Sequence, residues 1–215
     1  MTKHSIDLAR RAEIGARRRS RTRAKLLTAA RTLFGHAGGR STRVEDICEE
    51  AGVARGTFYN YFSTIDELQA ALFEDLSNRF DRAVHVAFER FDGPAERTCA
   101  AIRYYLLHVV QDREWGWDMV NTGMGIGFFH DSVTDRVVET IQDGIDSGDF
   151  TVDSALAGRD VLLGSGLAAA NTLLTGGTPD RHIAEVATAV LKALGVSDLR
   201  ARELVRADLP ELELV

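Results

Sequence analysis

The stretch from Thr42 to Phe62, TRVEDICEEAGVARGTFYNYF, decides the reading of this chain. Thr42 and Glu45 stand at capping-box spacing, so a short helix is expected to start at Thr42 and run through Ile47 to about Glu50. Gly52 follows Ala51 as the residue able to turn with positive φ, and Val53 then points back inward. A second short helix is expected from Ala54 to Asn60. Two short helices joined by a three-residue turn with a central glycine form the helix-turn-helix plan. The second helix, about 10 Å long, fits a duplex major groove about 12 Å wide. Its outer positions Arg55, Thr57, Tyr59, Asn60 and Tyr61 all form hydrogen bonds, while Val53, Phe58 and Phe62 can pack inward.

Upstream, Leu26, Leu27, Ala30, Leu33 and Phe34 recur at helical spacing and predict a helix from about Thr22 to His36, stopped by Gly38-Gly39. Residues 1–20 carry Arg10, Arg11, Arg17, Arg18 and Arg19 with little apolar periodicity and read as a basic arm or a frayed helix. Charge is divided along the chain. Residues 1–62 hold 13 Lys or Arg against 6 Asp or Glu, whereas the remaining 153 hold 13 against 26, within a total of −6. The N-terminal part suits a polyanion and the remainder is repelled by one. Nearly all of the positive charge is arginine, whose planar fork suits phosphate oxygens and guanine edges.

Downstream of Leu68 the pattern is helix after helix. Phe73, Leu76, Phe80, Val84, Ala87 and Phe91 mark one long stripe, ended by Asp92-Gly93-Pro94. Cys99, Ile102, Leu106 and Val109 mark a second stripe, and Val133, Val137, Ile141 and Ile145 a third. Arg159 to Thr175, rich in Leu, Ala and Gly, suits a helix pressed against others. A last helix is expected at about Asp180 to Leu194. The 215 residues, 45% apolar and 27% charged with three prolines, are those of a folded protein, not a disordered one. Cys48 and Cys99 form no metal or disulfide spacing, so a reducing cytoplasm is expected. The longest uncharged stretch, Val161 to Pro179, is too rich in Gly, Thr, Ser and Asn to predict a membrane span.

The run from Thr42 to Phe62, followed by Asp66-Glu67-Leu68, resembles the DNA-binding domain of the TetR (tetracycline-repressor-like) transcriptional regulators over about residues 20–70. Ala51-Gly52-Val53, Gly56-Thr57-Phe58-Tyr59 and Tyr61-Phe62 all fall in register. The resemblance implies an all-α homodimer: a three-helix helix-turn-helix domain over residues 21–66 behind the arm of residues 1–20, and a larger helical ligand-binding and dimerisation domain over residues 67–215. It implies a palindromic double-stranded DNA operator, a small-molecule effector, no cofactor and no membrane. It also implies a dimer interface at residues 131–147 and 153–175. Two residues depart from the family pattern. Ala54 stands where a capping serine is usual, and Ile65 where a phosphate-touching lysine is common. Ser63 and Thr64 with Asp66 and Glu67 still predict a helix start near residue 64.

The expected DNA contacts are Arg43, Arg55, Gly56, Thr57, Tyr59, Asn60 and Tyr61. Arg55 and Asn60 can read guanine and adenine edges, Arg43, Thr57, Tyr59 and Tyr61 are placed to hold phosphates, and Gly56 lets the backbone come close. Of the aromatic and methionine cluster, Phe88, Tyr105, Trp115, Met119, Met124 and Phe128 are expected to line an effector pocket, with His108, Asn121 or Asn171 as polar anchors. The Gly123–Gly127 run lacks a preceding strand and a following Lys-Ser or Lys-Thr, so it reads as a broken helix and not a phosphate loop. No nucleophile–base pair or metal-ligand spacing is present, and no enzyme is expected. The expected function is a ligand-released repressor. An activator or architectural DNA-binding protein without an effector is the alternative.

Overall fold

A computed structural model describes residues 3–123, 132–176 and 178–212. Among them the chain is helical and contains no strand. The first helix, α1 (Lys3–Phe34), is longer than its apolar stripe predicts: the basic arm continues into it without a break, so a boundary at residue 20 falls inside one helix. Among its described side chains the second half buries a face, with Leu26, Ala29, Ala30 and Phe34 packed with Ile47, Phe58, Phe62 and Leu68 in one core.

A 3₁₀ turn (Gly39–Ser41) leads to α2 (Val44–Ala51). This helix starts one residue later than the Thr42–Glu45 spacing predicts. Arg43 N–H donates to Asp46 Oδ2 at 2.8 Å, so Asp46 takes the reciprocal capping position. The Thr42 hydroxyl instead donates to Leu33 O across the chain, at 3.5 Å. Helix α2 ends as expected at Gly52, in the left-handed region with φ 64°, and Val53 N–H closes back on Cys48 O at 3.0 Å. A Cβ at Gly52 would meet no atom within 4 Å, so the backbone angle, not space, requires glycine there.

The reading helix α3 (Arg55–Tyr59) has Ala54 at its N-cap with no side-chain cap, and backbone bonds to Ala54 O alone start it. Helix α4 (Ile65–Ala87) begins with a reciprocal box: Thr64 Oγ1 accepts Glu67 N–H at 3.1 Å, and Ser63 N–H donates to Glu67 Oε2 at 2.6 Å. At about 35 Å it is long enough to serve both domains. Leu68 and Leu72 pack near the head, while Phe73, Phe80 and Val84 belong to the larger domain.

A second 3₁₀ turn (Phe88–Arg90) precedes α5 (Pro94–Gln111), which starts with Pro94 at its first turn. Then follow α6 (Arg113–Gly123), α7 (Ser132–Ser147), α8 (Ala155–Leu174), α9 (Pro179–Ala193) and α10 (Asp198–Arg206). Helix α5 packs against α6, α7, α8, α9 and α10. Gly158 lets α8 approach α7, because a Cβ there would stand 2.7 Å from Ile141 Cγ2. The C-terminal segment is tied to α5 by Tyr104 Oη donating to Pro210 O at 2.7 Å and Arg103 Nη1 donating to Ala207 O at 2.9 Å. No described helix is long and apolar enough to cross a membrane.

Candidate functional site

The outer surface of α3 is set by what its inner face buries. Phe58 is 0% exposed and meets Phe62 and Tyr59 ring to ring, and this anchor directs Arg55, Tyr59 and Asn60 into solvent. Gly56 is open, with nothing within 4 Å of a would-be Cβ, and Arg43 is exposed at the start of α2. Thr57 and Tyr61 are half-buried, and the Tyr61 ring packs partly against the core. Arg55 is held in place before any ligand arrives. It forms an ion pair with Glu45 of α2, donates to Tyr59 Oη at 3.3 Å, and lies 5.7 Å from the centre of the Tyr59 ring. Glu45 thus occupies the guanidinium that a base edge or phosphate would need.

In the larger domain, α4, α5, α6, α7 and α8 surround a cavity of about 250 Å³. Phe73, Phe80 and Val84 of α4, Ile102 and Tyr105 of α5, and Leu162 and Leu167 of α8 make its walls largely apolar. Phe88, Tyr105 and Met119, three of the expected pocket residues, also line it. Trp115 and His108 stand one layer behind. His108 stacks on Phe80 at 5.7 Å and meets Trp115 at 4.4 Å, and Trp115 lies 5.7 Å from Tyr105. Burial lowers the His108 pKa against the pull of Asp112, which favours the neutral ring. Burial likewise pushes the Tyr105 phenol above its ordinary range, so it remains a neutral hydroxyl.

Asn171 does not line the cavity. It is exposed, about 140° round α8 from the lining residue Gly166, and the buried positions beside it are Ala170, Leu173 and Leu174. Met124 and Phe128 lie outside the described residues. Several lining groups have no counterpart in the sequence expectation. Phe73 and Phe80 share the spacing of ordinary core positions, so nothing in the sequence sets them apart. Thr98 carries a faint signal, a hydroxyl between Ala95 and Cys99 on an apolar stripe. It is buried, and its Oγ1 has no hydrogen-bond partner among the described residues, as is true of Arg97 Nε beside it. At another wall, Arg136 of α7 pairs with Asp81 of α4.

Helix α6 joins this cavity to the head. Met119 faces the cavity, while Asn121, two residues on, reaches the end of α1, where its amide donates to Phe34 O at 2.7 Å and His36 O at 2.8 Å. Asn121 is therefore no pocket anchor. Gly39 makes room for this contact, since a Cβ there would stand 2.8 Å from Asn121 Nδ2. Asp118, fully buried, approaches Arg31 Nε of α1 at 3.7 Å, and neither of its oxygens has a hydrogen-bond partner among the described residues. Desolvation outweighs the attraction of the half-exposed arginine and pushes the Asp118 carboxyl up to about 8.

Comparison with known proteins agrees with this geometry. Residues 26–72 match the family described as bacterial regulatory proteins, tetR family, and residues 93–207 match the tetracyclin repressor-like C-terminal domain. This chain belongs to the TetR family. It is 36% identical over 70 residues to the HTH-type transcriptional repressor KstR2 of Rhodococcus jostii (strain RHA1), a match covering 31% of this chain and 34% of KstR2. It is 27% identical over 92 residues to the HTH-type transcriptional regulator HbdR of Aromatoleum sp. (strain CIB), covering 43% of this chain and 40% of HbdR. The matches to these curated relatives thus span less than half of their length. Among solved structures, RolR in complex with resorcinol superposes with a TM-score of 0.76 at 30% identity, covering 92% of this chain and 100% of RolR. RolR without ligand gives 0.69 at 29% identity, covering 88% and 100%. The TetR chain is thus a transcriptional regulator with a DNA-binding helix-turn-helix and a ligand-binding C-terminal domain.

Proposed function

We propose that this TetR-family chain is a dimeric repressor that holds a pseudo-palindromic operator with α3 and is released by a small, neutral, single-ring aromatic effector. The observation that carries the reading is the junction at α6, where Met119 on the cavity and Asn121 on the end of α1 are two residues apart. A ligand that displaces Met119 acts on the helix that caps α1, and α1 and α3 share one core through Leu26, Ala30 and Phe58. An effector that favours a conformation with misplaced reading heads weakens DNA binding by that preference. A 100-fold release needs about 2.7 kcal/mol of coupling.

Two features support the dimer. Helix α8 has only one charged pair, Arg159–Asp160, in its 20 residues, and its outer face carries exposed Leu156, Ala157, Gly164 and Ala168. A helix with so few charges and apolar residues left on its exposed side is normally covered. The exposed stripe of α7 away from the cavity, by contrast, carries Asp135, Gln142 and Asp146, which favours a two-fold contact on α8 over one on α7. Two reading heads related by a dyad then enter successive major grooves, and the operator has half-sites about one turn apart.

The effector class follows from volume and polarity. A cavity of about 150 Å³ holds a benzene ring, and this one is somewhat larger. Thr98 Oγ1 and Arg97 Nε offer it hydrogen-bonding atoms with no partner among the described residues, and the wall charges, Asp81, Glu139 and Asp143 against Arg97 and Arg136, give an anion no net attraction. Resorcinol, bound by RolR, has this size and polarity and serves as the first probe. Trp115 behind Tyr105 provides a fluorescence signal. Resorcinol should change that signal saturably and dissociate the protein from selected operator DNA. Saturable binding with no effect on DNA would refute the effector role, and the cavity argues against an effector-free architectural protein.

A further inference from the structure

We infer that the basic N-terminal half of α1 is a second DNA-binding element that runs along the phosphate backbone outside the half-site read by α3. The inference rests on the reading of α3 as the operator-binding helix, and it adds a surface which that reading does not use.

The extension is a continuation of α1 beyond its last core contacts. Leu26 and the residues after it bury a face, but Arg10 and residues 13–21 are all exposed. From Arg10 to Lys25 the sequence has eight basic residues and a single acid, Glu13, which pairs with Arg17 at 2.8 Å. In a continuous helix, Arg10, Arg17, Arg21 and Lys25 fall within about 80° of arc. The middle of that arc is turned away from Leu26, Ala30 and Phe34, so the stripe does not cover the protein's own core. A cationic helix face of this kind has charge complementarity with a polyanion.

The direction of the helix selects DNA as that polyanion. At its C-terminal end α1 is held by Asn121 of the effector domain, so its N-terminal end points away from that domain. Where it leaves the head, Arg21 and Lys25 flank a groove closed by Glu50 and Ala51, directly before the Gly52 turn into α3. Arg23 lies over the Phe62 ring at 5.4 Å and fixes the exit beside the reading helix. The extension therefore starts at the edge of the DNA-facing surface. The stretch Lys3–Arg19 is about 25 Å long, enough to follow about seven phosphates of one strand. The acidic surface of a second copy of this chain is the competing occupant. It is disfavoured because it lies on the effector domain, at the other end of α1.

The test compares the full chain with the quadruple variant Arg10→Gln, Arg17→Gln, Arg18→Gln and Arg21→Gln, all exposed positions that leave the core untouched. Circular dichroism and oligomeric state confirm that the fold is kept. Two duplexes are used, both carrying a site selected by the full chain from random-sequence DNA. One ends at the outer edge of each half-site and the other extends ten base pairs further. The full chain should bind the long duplex more tightly, and the variant should bind both alike. Loss of three phosphate contacts lowers the log–log salt slope by about 2.7 per subunit, so the affinity gap on the long duplex narrows about 40-fold per subunit between roughly 50 and 200 mM salt. Equal affinities of the full chain for both duplexes, or an equal loss by the variant on both, overturn the inference. So does a change in self-association with DNA affinity unchanged. Failure of the full chain to select any DNA would instead sink the reading of α3.

Discussion

Removing the Asn121 side chain amide is the perturbation whose cost can be worked most directly from the structure. The amide makes two hydrogen bonds, 2.7 Å to the buried carbonyl of Phe34 and 2.8 Å to the partly buried carbonyl of His36. Each bond contributes about 1 kcal/mol net, and an acceptor left dry and unpaired costs about 1–3 kcal/mol. Asn121→Ala strands Phe34 O, while His36 O regains water. The change also removes Asn121 Oδ1, itself buried without a hydrogen-bond partner among the described residues, which offsets part of the loss. The balance is about 2 kcal/mol, which for a chain of this size lowers Tm by roughly 4–8 °C. Asn121→Asp should be worse, because it sets carboxylate oxygen against the same two carbonyls with Asp118 nearby. The assay is urea unfolding at fixed protein concentration, with resorcinol titration and DNA release measured alongside. The denaturation midpoint should fall at constant slope. Resorcinol affinity should hold, because Asn121 does not line the cavity, and effector-driven release of DNA should shrink. An unchanged midpoint would refute the hydrogen-bond argument, and unchanged release would refute α6 as the coupling element.

Other expectations bear on the two sites. Arg55→Ala should cost about 1–3 kcal/mol at one operator base pair and relax specificity there, whereas Thr57→Ala should weaken all sequences alike; a panel of single-base operator variants separates them. Glu45→Gln frees Arg55 from its ion pair and removes a negative charge beside the DNA surface, so mobility-shift titration should show tighter binding with a lowered preference for the selected site. Thr98→Val should weaken resorcinol about tenfold, the equivalent of 1.4 kcal/mol, by calorimetry, with DNA affinity in the absence of resorcinol unchanged. The buried Asp118 predicts a pH dependence: between the ordinary carboxylate range near 4 and its raised value of about 8, the folded state holds a proton that the unfolded chain has released. Stability should therefore fall as pH rises through that window, by up to about 1.4 kcal/mol per unit, and Asp118→Asn should flatten the curve in urea titrations from pH 5 to 8. A wild-type profile that is already flat would contradict the assignment.

The helix-turn-helix was legible in the sequence because its constraints are local. Gly52 sits where the chain needs positive φ, and Phe58 and Phe62 lie at one-turn spacing. The one-residue slip at the start of α2 has a long-range cause. Thr42 and Asp46 both offer capping chemistry, and the carbonyl of Leu33, nine residues back, draws the threonine away. The extension of α1 to Lys3 was half legible, since arginine favours helix but an exposed helix has no apolar stripe to announce it. The effector cavity was the least legible. Phe73 and Phe80 have the spacing of core residues whether the space beside them is filled or empty, and periodicity reports which face is apolar but not what meets it. Asn171 illustrates the same limit: a polar residue in an apolar helix reads equally as an anchor inside or a group in water, and α8 turns it outward. The Asn121 latch depends on contacts more than 80 residues apart, which no local pattern records.

The most direct test of the central claim is nuclease protection of DNA selected by the full chain, with and without resorcinol. The account predicts two symmetric protected half-sites about one helical turn apart, lost as resorcinol saturates the cavity. A single unpaired footprint, or a paired footprint indifferent to saturating resorcinol, would contradict it.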